Sequence, residues 1–133
     1  MRFEQASLED IPRLTDYAEE WLANRGCGMK ASVQISIAID EIYSNIVRYA
    51  YGEGSGPAEM ELLPLEDVRG VRIVFRDQGK PYDPLQKEDP DIARKLEDRE
   101  VGGLGIFLVK KTMDDMRYAY EDGRNVLTLT KRY

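Results

Sequence analysis

The chain has 133 residues, 42% of them apolar and 33% charged, a balance that suits one soluble globular domain with a continuous core rather than a disordered segment. A formal net charge of −6 and a pI of 4.8 argue against a nucleic-acid partner, although backbone amides and a divalent cation can still neutralise one small polyanion locally. With no histidine and one cysteine, Cys27, the chain lacks the ligands for a protein-built zinc centre, excludes a histidine-dependent triad and forms no internal disulfide.

Cysteine usage fits a reducing cytosol, and Cys27 reads as an ordinary residue between two helical patterns. The first residues carry no apolar leader and no stretch reaches transmembrane length, so a cytoplasmic location without a membrane partner is expected. In chain order, residues 2–5 suit a short edge strand. Ser7 followed by Asp10 resembles a capping box, and Pro12 falls in the first turn of the helix it announces. Leu8, Ile11, Leu14, Tyr17, Ala18, Trp21 and Leu22 then recur at helical spacing until Gly26, a stripe read as core rather than as a partner surface. A second helix spans about 31–51, with Ile35, Ile39, Ile42 and Ile46 stepping by four, three and four, and residues 52–57 form a turn.

Strands come next, at about 58–63 and 69–76. From residue 78 to about 101 comes a segment punctuated by Gly79, Pro81, Pro84 and Pro90 and then highly charged, which reads as a mobile surface lid. A third helix opens near residues 103–105 and runs to about 115, carrying Ile106, Leu108, Val109, Met113 and Met116. The last strands, 117–121 and 125–131, flank Asp122-Gly123, a strong hairpin signal. The order β-α-α-β-β-lid-α-β-β predicts one α+β domain over 1–133, a two-layer sandwich of a mixed, mostly antiparallel sheet with helices on one face.

Three segments carry chemistry. In Asp40-Glu41-Ile42-Tyr43-Ser44-Asn45, Glu41 and Asn45 are four apart and project from one face of the second helix. The Asn45 side-chain oxygen suits Mg²⁺, and the Glu41 carboxylate can orient or deprotonate a nearby hydroxyl. Asp77, at the end of an apolar strand, can accept a hydrogen bond from an exocyclic amine such as adenine's, and Gly79 would let the backbone approach a flat base. Gly102-Gly103-Leu104-Gly105 opens a helix whose free amides suit an anion. No Gly-Lys-Ser/Thr comes after it, and Leu108 stands where a dinucleotide fingerprint needs its third glycine.

In this order the three segments resemble the GHKL ATPase superfamily, which includes gyrase-type ATPases and histidine kinases. Asp40 to Asn45 looks like its N box, Asp77-Gln78-Gly79 its first glycine box, and Gly103-Leu104-Gly105 its second. The short chain and the form Asp77-x-Gly79-x-Pro81-Tyr82-Asp83 are most similar to the bacterial anti-sigma-factor serine/threonine kinases. The resemblance implies the Bergerat ATP-binding fold and ATP with Mg²⁺ as cofactors. It makes Glu41 the general base and Asn45 the metal ligand. Asp77 and Gly79 would lie at adenine, Gly103, Leu104 and Gly105 at phosphate, and Thr128 or Thr130 near the base. It also implies a sigma factor and an anti-sigma-factor antagonist as protein partners, and a homodimer. Within the lid, Lys87, Arg94, Lys95 and Arg99 are the available cations. Binding and transfer would use the same residues, so the sequence leaves open both a kinase and a nucleotide-responsive protein-binding switch.

Overall fold

The computed structural model describes residues 1–86 and 103–133, with backbone alone for Gly103 and Leu104. The expected lid, from residue 87 onward, lies outside the described residues, together with Lys87, Arg94, Lys95, Arg99 and Gly102. The first strand, β1, is Arg2–Phe3, shorter than expected. A 3-10 turn, Leu8–Asp10, leads into α1, Ile11–Ala23, and α2 spans Met29–Tyr49. Strands β2, Ala58–Pro64, and β3, Gly70–Asp77, precede α3, Gly103–Thr112, and the chain closes with β4, Asp115–Glu121, and β5, Arg124–Arg132.

The capping box is formed. Ser7 Oγ accepts from the Glu9 amide at 3.2 Å, and Asp10 Oδ2 accepts from the Ser7 amide at 2.8 Å. The same Oδ2 takes a 2.6 Å hydrogen bond from the hydroxyl of Tyr43 on α2, tying the start of α1 to the middle of α2. Leu14, Ala18 and Leu22 bury one face of α1, while Leu8 and Tyr17, counted in the apolar stripe, stay exposed because the stripe is broader than the contact. On α2, Ile35, Ala38, Ile39 and Ile42 are buried and Ile46 partly so.

The sheet runs β1-β2-β3-β5-β4, and every pairing in it is antiparallel, so the expected mixed sheet contains no parallel pair among the described residues. Alternation sorts its faces. Met60, Leu62, Ile73, Phe75, Leu127 and Leu129 turn toward the helices and build the core, and Ile106 and Val109 of α3 close it. The other face carries charge: Arg76 reaches Glu61 at 3.1 Å and Glu59 at 3.7 Å, and Arg124 reaches Glu59 at 3.4 Å. Partly exposed pairs of this kind stabilise weakly, so the fold rests on the apolar face.

Two element boundaries differ from expectation for identifiable reasons. Helix α3 stops at Thr112 because β5 captures the residues beyond it. The Asp114 amide donates to the Thr130 carbonyl at 2.9 Å, and Lys131 Nζ caps the Thr112 carbonyl at 2.6 Å. Helix α2 stops at Tyr49, and Tyr51 becomes a strut whose hydroxyl donates to the Pro57 carbonyl and accepts from the Gln78 amide at 2.7 Å. The hairpin turn is as expected: Asp122 and Gly123 both take positive φ, 55° and 74°, the two-residue geometry that matches strand twist.

Replacing Tyr43 by Phe leaves the packed ring and removes the hydroxyl that joins α1 to α2. Denaturant unfolding should show a loss of about 1–3 kcal/mol, as expected for a hydrogen bond to a charged group.

Candidate nucleotide site

A cleft opens between the last turns of α2, the ends of β3 and β5, and the start of α3. Its walls include Asn45, Ile46, Ala50, Asp77, Lys80, Tyr82, Ile106, Tyr118 and Asn125. Asp77 ends the central strand on the helix-facing side and is 7% exposed. Its Oδ1 accepts from the Gly79 amide and from Asn125 Nδ2, both at 2.9 Å. Its Oδ2 has no hydrogen-bond partner among the described residues, which leaves one acceptor for a donor entering the cleft. Burial pushes the Asp77 carboxyl upward, with the two hydrogen bonds pulling the other way.

Glu41 and Asn45 lie one turn apart on α2, as their spacing requires. The Glu41 carboxylate has neither hydrogen bond nor ion pair among the described residues. Its pKa is raised, chiefly by burial; Arg48 lowers it and Asp40 adds to the rise. A carboxylate held in this way is a better proton acceptor near neutrality than an exposed one. Asn45 Oδ1 is buried with no hydrogen-bond partner among the described residues. A buried orphan oxygen is costly unless something else satisfies it, and a hard cation is such a group, so the residue fits Mg²⁺. Among the described residues no cluster of three or more acidic, cysteine or histidine side chains could hold a metal alone.

The glycines sit where backbones touch. A methyl group at Gly105 would lie 2.0 Å from Cδ of Glu41 and 2.1 and 2.3 Å from its oxygens, so the first turn of α3 rests directly on that carboxylate. Gly103 opens the same helix, with Leu104 between them, so backbone amides of an unfinished turn lie beside Glu41. Gly79 packs against the end of α2: a methyl there would be 2.3 Å from the Ala50 carbonyl oxygen, so the position has no room for a side chain. The next amide, Lys80, donates to that oxygen at 3.2 Å.

Thr128 and Thr130 do not join the site. They pair with Val74 and Arg72 on the outward face of the sheet, whereas Asn125, opposite Asp77, faces the cleft. On β5 the polar residue that lines the cleft is therefore Asn125, and neither Thr128 nor Thr130 reaches it. The strand's two-residue period puts odd positions on the helix side, and the apolar Leu127 and Leu129 already carried that signal.

An antiparallel sheet covered by helices, with a carboxylate ending the central strand and a Glu/Asn pair on the covering helix, defines a nucleotide-binding domain of the GHKL class. The family model for the histidine kinase-like ATPase domain matches residues 5–131, and the chain belongs to that family. It is 38% identical over 96 residues to the serine/threonine-protein kinase BtrW of Bordetella bronchiseptica, covering 72% of this chain and 67% of that protein. It is 32% identical over 107 residues to the serine-protein kinase RsbW of Listeria monocytogenes, covering 77% and 67%. Among solved structures it is similar in fold to the SiaB–SiaC complex from Pseudomonas aeruginosa, with a TM-score of 0.63 and 16% identity over 100% of this chain and 89% of that one.

Asp77→Asn keeps an oxygen for Gly79 and Asn125 but turns the free acceptor into a donor. Calorimetry should show ATP binding weakened at least about tenfold. Because the native pKa of Asp77 is raised, its ionisation costs stability as pH climbs above the ordinary carboxylate range, so the variant should be no less stable than the parent at pH 7. Gly105→Ala should change denaturant unfolding by less than about 1 kcal/mol, because the overlapped atoms end a flexible side chain that can turn aside, leaving the Glu41 carboxylate displaced from the first turn of α3.

Proposed function

We propose that this chain is a cytoplasmic anti-sigma regulatory serine/threonine protein kinase. It binds ATP with Mg²⁺ and phosphorylates a serine on a small anti-sigma-factor antagonist, while sequestering a sigma factor. The observation that carries this reading is the Glu41 carboxylate, half-buried, unpaired among the described residues and pressed against the first turn of α3, one turn from an Asn45 oxygen that has no partner among them. Relatives named as serine kinases support it.

In this reading Asp77 Oδ2 accepts from the adenine amine and selects the base. First-turn amides of α3, at Gly103, Leu104 and Gly105, face the phosphates with the positive end of the helix dipole. Asn45 would hold Mg²⁺ through Oδ1, and the ion would neutralise charge on the transferring phosphoryl group. Glu41 accepts the proton of the acceptor hydroxyl as its oxygen attacks, and its raised pKa suits that task. No helix among the described residues is long and apolar enough to cross a membrane, in keeping with a cytoplasmic site of action. A homodimer, expected from the family resemblance, is part of the same proposal.

The test is transfer of labelled phosphate from ATP to the antagonist. Glu41→Gln should reduce transfer by about 100-fold or more, the scale of general-base catalysis, while ATP affinity changes little. Because Glu41 must be ionised to accept a proton, parental activity should fall with acid along a limb lying above the ordinary carboxylate range, and the variant's residual activity should lack that limb. Transfer that survives the substitution would overturn the base assignment. Tight ATP binding with no transfer by the parent chain would leave the nucleotide-responsive switch as the reading.

A further inference from the structure

Asn125 stands at the centre of the densest polar network in the cleft. It is 7% exposed, and every atom of its carboxamide is used. Nδ2 donates to Asp77 Oδ1 and to the Lys80 carbonyl, both at 2.9 Å, with the Gly79 carbonyl at 3.5 Å. Oδ1 accepts from the Tyr82 amide at 3.1 Å and from the hydroxyl of Tyr118 on β4. The Tyr82 amide also reaches that hydroxyl at 3.2 Å.

This pattern admits only one orientation of the amide. Acceptors lie on one side, Asp77 and the carbonyls of residues 79 and 80, and donors lie on the other, Tyr82 and Tyr118. Turning the group over would set oxygen against three acceptors and NH₂ against the Tyr82 amide, a cost of several lost hydrogen bonds in a buried place, although the Tyr118 hydroxyl could still accept. The amide is therefore a fixed donor aimed at Asp77. It occupies Oδ1, and the carboxylate is left with Oδ2 alone toward the cleft.

We propose that Asn125, held in orientation by Tyr118, is a positioning residue that sets base selectivity by presenting Asp77 to the cleft as a single, oriented acceptor. The proposal rests on the reading of Asp77 as the base receptor and extends it to a second strand. A single fixed acceptor matches a base with an exocyclic amine at its edge, as in adenine. It opposes one that offers a carbonyl there, as in guanine. The network also fastens residues 79–82 to β4 and β5, so the floor of the cleft and the receptor are set by one side chain.

Other groups facing Asp77 are few. Tyr51 and Tyr118 feel its charge, Lys80 and Tyr82 share the cleft wall, and the Gly79 amide bonds to it. Asn125 is the side chain that lowers the Asp77 pKa against the larger upward effect of burial. Losing the amide should move Asp77 further upward, so nucleotide binding should fail at a higher pH as acid is added.

The experiment is calorimetric titration of Asn125→Ala and Tyr118→Phe with ATP and with GTP, repeated across pH 5–8. Changes are read against the parent so that phosphate titration cancels. Asn125→Ala should weaken ATP roughly 10- to 100-fold, narrow the ATP/GTP ratio and shift the acid edge of binding to higher pH. Tyr118→Phe should move all three in the same direction by a smaller factor, about two- to tenfold for ATP, with melting temperature nearly unchanged. If Asn125→Ala proves too unstable to titrate, the tyrosine variant decides alone. Equal losses for both nucleotides with an unmoved acid edge would make Asn125 a scaffold residue and overturn the proposal. Asp77→Asn in parallel separates the two failures: unchanged ATP binding there would sink Asp77 as the receptor, whereas loss there with no effect of the other variants would sink only the positioning role.

Discussion

Two glycine backbones press on α2, and the geometry of the site depends on how closely they approach. Gly79 lies against the Ala50 carbonyl at the end of the helix and Gly105 against the Glu41 carboxylate two to three turns earlier. Neither contact leaves room for a single methyl group. The first fixes where the chain leaves β3 and therefore where Asp77 and the floor of the cleft lie. The second fixes how closely the first turn of α3 approaches the Glu41 carboxylate. A side chain at Gly79 would push the end of α2 away from a core already packed by Ile35, Ile39, Ile42 and Phe75, whereas one at Gly105 would turn the Glu41 carboxylate aside. The helix is thus the common ruler for receptor, carboxylate and anion-facing turn.

Energetically the site is a set of costs that the core offsets. Asp77 is a buried carboxylate with a raised pKa, Glu41 a half-buried one, and neither Glu41 nor the Asn45 oxygen has a partner among the described residues. Each costs free energy as it stands, and in the proposed function a base amine, a hydroxyl proton and a cation would offset that cost. Apolar burial between the sheet and the helices supplies the stability that lets these groups remain unsatisfied. The charged outward face of the sheet adds little by comparison.

Residues on the inward face of the sheet divide between core and site along the strand direction. Ile73 and Leu129 pair inside the core, Phe75 and Leu127 at its margin, and Asp77 and Asn125 at the cleft. One antiparallel register therefore carries both the packing and the recognition pair. That register brings together two polar residues 48 positions apart, and it makes the nucleotide site an extension of the sheet rather than an appendage to it.

Much of this was legible in the chain itself. The capping box at Ser7 and Asp10, the isoleucine stripe of α2, the Asp122-Gly123 turn and the Glu41/Asn45 pair are local patterns, because helical pitch and turn sterics act over a few residues. Asp77 was legible as a carboxylate ending an apolar strand. Three things needed the tertiary structure. Gly79 packs against the end of α2, a contact hidden from local pattern because Ala50 is remote in sequence. The β5 residue at the cleft is Asn125 and not Thr128 or Thr130, since strand alternation gives two faces and only packing assigns them, although Leu127 and Leu129 hinted at the answer. The orientation of the Asn125 amide depends on donors and acceptors from β3, β4 and the segment after β3, which only the closed sheet assembles. Local stereochemistry determined the elements and the chemical groups on offer; long-range contact decided which of those groups meet.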